Sequence, residues 1–190
     1  FHHSSGCYSA HSEVKKLNRL AENRLIMAEK LSVAAKHWAG GRYPLERYTE
    51  GWKKVLFNQF HDIMAGTSIE PAYEDARESY GAALDTAAKG LNAAVQSISW
   101  HINIPVEDGM KPVVVFNPNS FPGKFEVEME SPNLKENQIL VDEEGKQIPL
   151  QQVQPLASSN GRTRLVFIAD LPAMGYRTYR LVIRETAHAF

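Results

Sequence analysis

The hydrophobic period of this chain changes near residue 100, and that change limits what it can fold into more than any other feature. Before it, apolar side chains recur every three to four residues, the spacing of one helix face. After it, they fall in short runs that alternate with polar residues, the spacing of a strand with one buried side. One repeating architecture cannot serve both periods. The chain is expected to be α+β: an antiparallel three-helix bundle over residues 1–104, then an antiparallel β-sandwich-like domain over residues 105–190.

Within the first part, Val14, Leu17, Ala21, Leu25, Ala28, Leu31 and Ala35 predict a helix over residues 12–37. Ser12 reads as its N-cap, and Gly40-Gly41 stops it. A second helix is expected from about Leu45 to Phe60, entered at Pro44. A third follows Pro71, on Tyr73, Ala76, Tyr80, Leu84, Ala87, Leu91, Ala94 and Ile98, with Thr67 and Glu70 spaced as a capping box. In the second part six strands are expected: Val113–Phe116, Phe125–Met129, Ile139–Val141, Gln147–Val153, Arg164–Ile168 and Tyr176–Ile183. NPNS, FPG, DEEGK, SSNG and LPAMG separate them, all turn chemistry.

Charge narrows the function classes. Lys and Arg total 21 against 22 Asp and Glu, a formal charge of −1. That balance leaves no bulk field for nucleic acid or anionic lipid, and no apolar run approaches the roughly 18 residues of a membrane span. Neither nucleic acid nor membrane is an expected partner, whereas a homo-oligomer is compatible with these features. The one cysteine, Cys7, cannot form an internal disulfide, so a reducing, cytoplasmic setting is the default. The chain begins at Phe1 with no secretory pattern, which is the mark of a piece of a longer protein.

Chemistry concentrates in Asn58-Gln-Phe-His-Asp-Ile-Met-Ala-Gly-Thr-Ser68, between the second and third helices. His61 and Asp62 carry donors suited to Zn²⁺. Neighbours on a helix point about 100° apart, so sharing one ion within a helix is awkward. Two readings stand: one of the pair binds metal while the other contacts substrate, or Asp62 accepts from turn N–H groups while His61 packs or is solvated. His2 and His3 sit in a stretch resembling an expression tag, and His11 and His37 read as solvated. Cys7 has no assigned base. Glu74-Asp75 and Glu143-Glu144 read as solvent charges, not as a glycosidase carboxylate pair. There is no Walker loop, GxGxxG, GxSxG or CxxC, and no complete catalytic set.

The Asn58–Ser68 stretch nevertheless resembles the helix-end signature of the family 38 glycoside hydrolases, the zinc-dependent α-mannosidases. Gly6-Cys-Tyr-Ser-Ala-His-Ser-Glu-Val-Lys-Lys-Leu-Asn-Arg is similar to the entry into that family's middle helical domain, in the branch of the cytosolic and bacterial enzymes. Relatives there carry Phe-His-His before Gly-Cys-Tyr, which argues against a tag. Val115-Phe-Asn-Pro-Asn-Ser-Phe resembles the start of the family's β domain, with Phe121 replacing the usual Trp, and Asp170-Leu-Pro-Ala-Met-Gly-Tyr-Arg-Thr-Tyr resembles a later segment. The resemblance implies retaining hydrolysis of α-mannosides. It implies a Zn²⁺ site with His61 as one ligand, and Asp62 as a residue binding the mannoside. The nucleophile, the acid and the remaining zinc ligands belong to the family's N-terminal catalytic domain and match nothing here, so this chain alone is expected to be inactive. The rivals are a carbohydrate-binding module using Tyr176 and Tyr179, and a helical interaction module without catalysis.

Overall fold

A computed structural model describes residues 6–105, 107–132, 137–154 and 162–183. They form two compact units dividing between Ile102 and Asn103. Helices in the first and antiparallel sheets in the second make the chain α+β. His2, His3 and the SSNG turn lie outside the described residues. No helix among the described residues is long and apolar enough to cross a membrane.

A 3-10 turn, Cys7–Ser9, opens the helical unit, followed by α1 (Ser12–Trp38), α2 (Leu45–Phe57), α3 (His61–Ala65) and α4 (Glu70–Ser99). Its core joins Val14, Ala21, Leu25 and Ala28 of α1 to Tyr48 and Val55 of α2 and to Tyr73, Ala76, Tyr80, Ala83 and Ala87 of α4. Alanine at the crossings lets backbones approach, and the tyrosines fill the wider gaps. Their hydroxyls find partners: Tyr48 Oη lies 2.7 Å from Ser32 Oγ, and Tyr80 Oη donates to Asn18 Oδ1 at 3.1 Å. Gly90 makes room for Tyr48, since a Cβ there would stand 2.1 Å from the Tyr48 hydroxyl oxygen.

The ends of the helices depart from expectation. Ser12 lies inside α1, and the N-cap is His11 at φ 48, with no side-chain cap bond. Leu56, Phe57 and Phe60 keep an apolar spacing that reads as helix, yet all three are exposed and α2 stops at Phe57. Chain direction changes at Phe60, φ −53 and ψ 139, and a separate short helix follows. The Thr67–Glu70 capping box does not form. Ile69 is the N-cap of α4; Thr67 Oγ1 donates to Asp62 Oδ1 at 3.2 Å, and Glu70 accepts from Arg77 at 3.3 Å.

The β unit contains β1 (Lys111–Asn117), β2 (Gly123–Pro132), β3 (Gln138–Val141), β4 (Gln147–Ile148), β5 (Gln151–Val153), β6 (Arg162–Leu171) and β7 (Gly175–Ile183). One sheet runs β1-β7-β3-β4 and the other β2-β6-β5, every pair antiparallel. The expected single strand over Gln147–Val153 is two, one in each sheet, because Pro149 between them has no N–H for a ladder. Phe125, Val127 and Met129 of β2 pack on a core of Leu140, Leu165, Phe167, Ala169, Leu171, Tyr179 and Leu181, while Glu126, Glu128 and Glu130 face out. Tyr179 is therefore a core residue, edge-on to Phe167 at 5.2 Å, and only Tyr176 is exposed. Buried Asn117 donates to the carbonyls of Phe121 (2.9 Å) and Pro172 (2.8 Å), tying the NPNS and LPAMG turns together.

Candidate functional site

The site grows from the break between α2 and α3. Asn58, almost fully buried, donates through Nδ2 to the Lys54 carbonyl at 2.8 Å and closes the end of α2. Gln59 reaches back to α1, donating to Asn18 Oδ1 (3.1 Å) and Glu22 Oε1 (2.9 Å). These bonds hold the connection, so Phe60 can deliver His61 as the first residue of α3. Gly66, at φ 84, ends that helix. A Cβ at Gly66 would stand 2.8 Å from Ala10 Cβ and 2.9 Å from the Cys7 carbonyl oxygen, so the N-terminal turn lies directly against it.

His61 and Asp62 come together at this helix start. His61 Nε2 lies 3.6 Å from Asp62 Oδ1, with the side chains 79% and 49% exposed. Adjacency on a helix does not separate their polar atoms here, because both side chains leave the first turn of a five-residue helix and bend toward each other. The Phe60 ring packs on the His61 ring at 4.2 Å between centroids. Thr67 donates to the Asp62 carboxylate, and the Asp62 carbonyl accepts from Thr67 N (3.0 Å) and Tyr73 Oη (3.3 Å). Tyr73 is fully buried; its hydroxyl accepts from Ser68 N at 3.1 Å, and its ring stacks on His11 at 3.8 Å with an 8° tilt. His11 is thus exposed yet held, where the sequence reading left it solvated.

Gly66 and Thr67 stand within the Asn58–Ser68 stretch singled out in the sequence, whereas Tyr73 and His11 are residues that sequence reasoning did not assign to this site. Gly66 also had the signal of a glycine at a helix end; Tyr73 and His11 act through contacts that no local pattern encodes. The remaining candidates lie elsewhere. Cys7 is a free, half-buried thiol, and Glu74 and Asp75 are exposed on α4. Glu143 is more than a solvent charge: it accepts from Thr178 N (3.0 Å), Thr178 Oγ1 (3.3 Å) and Arg177 (3.1 Å). Those donors, the Thr178 N–H first, hold its carboxyl below the usual carboxylate range.

No cluster of three or more His, Cys, Asp or Glu able to hold a metal exists among the described residues. His61 and Asp62 offer one nitrogen and one oxygen donor, both reachable from solvent. Such a pair suits part of a zinc shell and falls short of the four ligands of a closed one. Leu56, Phe57, Phe60 and Ile69, which flank the pair in sequence, are exposed, and of these the Phe60 ring lies on His61.

The model of the family described as "Alpha mannosidase middle domain" matches residues 2–98. Alpha-mannosidase 2C1 from Homo sapiens is 35% identical over 97 residues, which is 47% of this chain and 9% of the relative. An alpha-mannosidase from Saccharomyces cerevisiae is 36% identical over 78 residues, 39% of this chain and 7% of that protein. The chain therefore spans less than a tenth of the curated relatives it matches. The crystal structure of an alpha-mannosidase from Enterococcus faecalis V583 superposes with a TM-score of 0.74 over 96% of this chain and 25% of its own, at 19% identity. A structure of a glycosyl hydrolase family 38 protein from Enterococcus faecalis gives 0.76 over 96% and 26%, also at 19% identity. At that identity the two structures speak for the fold alone.

Proposed function

Because this chain belongs to the alpha-mannosidase middle-domain family, we propose that it is the middle portion of a zinc-dependent retaining α-mannosidase of glycoside hydrolase family 38. The observation that carries this reading is the exposed His61–Asp62 pair, joined at 3.6 Å within the family-matched segment. In this reading residues 1–104 are the three-helix middle domain and residues 105–190 the sandwich-like start of the C-terminal β region. A cytoplasmic location belongs to the same proposal.

His61 supplies one zinc ligand through its imidazole, and Asp62 accepts a hydrogen bond from a mannose hydroxyl. Zinc, when bound, grips sugar hydroxyls and orients the ring. Thr67 and Tyr73 keep Asp62 in place, the first through its carboxylate and the second through its carbonyl. The exposed Phe60 ring on His61 excludes water from that side once the rest of the enzyme covers it, which strengthens the polar contacts there. The carboxylate nucleophile, the acid and the other zinc ligands come from outside these 190 residues. The chain by itself is therefore inactive toward α-mannosides, its partners being the rest of the parent chain and the substrate.

The test is His61→Ala in the parent enzyme. Removing a partner one step away from a metal usually lowers activity roughly 10–100-fold, so losing a ligand should exceed about 100-fold and lower the bound zinc. A folded variant that keeps its zinc and stays within a few-fold of wild-type activity would overturn the assignment.

A further inference from the structure

A second concavity on the helical unit shares no residue with the His61–Asp62 site. It is a cleft of about 920 Å³, walled by the α1–α2 connection from Gly40 to Pro44, by Arg47 in the first turn of α2, and by α4 between Asp85 and Ser97. Its charged residues are Arg42, Arg47, Lys89 and Asp85. Lys89 and Asp85 pair on α4 at 2.6 Å. Arg42 and Arg47 have no ion-pair or hydrogen-bond partner among the described residues, whereas Arg19 and Arg77 both meet carboxylates. Glu29, whose carboxylate reaches the cleft wall at Tyr43, is already held by Tyr43 (3.1 Å) and Trp52 (3.1 Å). The balance inside the cleft is positive.

The backbone carrying these arginines is anchored. Gly41 N and Ala39 N both donate to the Ala35 carbonyl, at 3.0 and 2.9 Å. Tyr43 is tied to Glu29, and Tyr48 lies wedged over Gly90 beneath the same wall. Helix α2 starts at the rim with Pro44 as N-cap and no side-chain cap, so its positive end adds to the field. Arg42 and Arg47 are exposed at the mouth of this cleft, and two partnerless guanidinium groups lining one cleft suit a tetrahedral oxyanion, which takes paired N–H donors well. The volume lies in the range of small-molecule sites and far exceeds a single phosphate.

We propose that this cleft binds a phosphate-bearing small molecule, its phosphate taken by Arg42 and Arg47. The proposal stands apart from the mannosidase reading and needs only this chain. Inorganic phosphate and glucose 6-phosphate are titrated separately into the 190-residue protein by calorimetry at low salt. Saturable one-to-one binding is expected, weakening as salt is added. Tighter binding of the hexose phosphate assigns the rest of the cleft to the organic part; equal binding assigns the site to free phosphate, and both support the anion site. Arg42→Gln with Arg47→Gln should weaken binding at least about 10-fold, the loss of a charged hydrogen bond, with an unchanged circular dichroism spectrum. Absence of saturation by either probe, or undiminished binding in that double variant, would overturn the proposal.

Discussion

The helical unit fills its core with alanine and tyrosine, while the β unit fills its own with leucine, phenylalanine and a single tyrosine. Alanine costs little side-chain entropy and permits close backbones, but it specifies little about which neighbour belongs where. In the helical unit the tyrosine hydroxyls carry that specificity, through Ser32, Asn18 and the Asp62 carbonyl. In the β unit it comes from alternation, which admits one register per strand, and from Asn117 between two turns. The contrast has a functional side. The helical core sends a buried polar group, the Tyr73 hydroxyl, to the backbone of the candidate site, so there packing and site geometry are one network.

The largest effects should come from cutting a large aliphatic residue out of each core. Leu25→Ala and Leu165→Ala each remove a fully buried side chain, a change that typically costs about 2–5 kcal/mol. Leu25 is one of few large aliphatics amid alanines and hydrogen-bonded tyrosines that cannot collapse into the space, so its loss should be the greater. Amide hydrogen exchange on both variants reads each unit separately. If Leu165→Ala loses as much protection as Leu25→Ala, the contrast between the cores fails.

Glycines on α4 sharpen the point. Gly90→Ala drives a methyl group into Tyr48 and should destabilise by about 1–3 kcal/mol. Gly81→Ala, where nothing lies within 4 Å, should instead stabilise by about 0.5–1 kcal/mol. Thermal unfolding of both variants would break the argument if the two changes had the same sign.

Alkali separates the units further. Burial, and then the charge of Glu22, push the Tyr80 phenol up to about 12. A phenol whose folded value exceeds its unfolded value of about 10 lends its full stability below that pH and loses it as pH climbs toward 12. Tyr43 and Tyr48 shift the same way, whereas the β unit has one such group, Tyr179. Tyr80→Phe should cost about 1 kcal/mol at neutral pH, from the hydroxyl bond to Asn18, and should flatten the alkaline decline. An unchanged slope in urea melts between pH 9 and 12 would remove Tyr80 from this account.

How much of this was legible in the sequence follows from where the information lies. Long periodic runs state α1 and α4 outright, since every residue repeats the same message. Ends are decided by a few atoms: Ser12 could cap, yet His11 takes that place, and Thr67 spends its hydroxyl on Asp62. The split at Pro149 was available in principle, because a proline cannot sit in a ladder on both sides. His61 and Asp62 stood out as residue types and through a family resemblance. The hold on them comes from Tyr73, 11 positions beyond Asp62, and from the His11 ring stacked on it across the length of α1 and α2, and it leaves no local trace.

The smallest effect should lie in the β unit, at a point where a side chain takes over from a strand. Beta3 pairs with β7 up to Val141, opposite Arg180, and then ends. Two residues on, the Glu143 carboxylate accepts from the Thr178 N–H that β3 no longer reaches, and draws in Arg177. Its folded value lies below the unfolded one, so its contribution is present above about pH 4.5 and fades as acid protonates the group. The pair with Arg177 is substantially exposed, which keeps the contribution below about 1 kcal/mol and makes it weaken with salt. Glu143→Gln keeps an acceptor for the Thr178 N–H and removes the charge. Thr178 exchange protection should therefore fall slightly and stop varying with pH between 3 and 5. Should that pH dependence survive the substitution, another carboxylate governs this edge of β7.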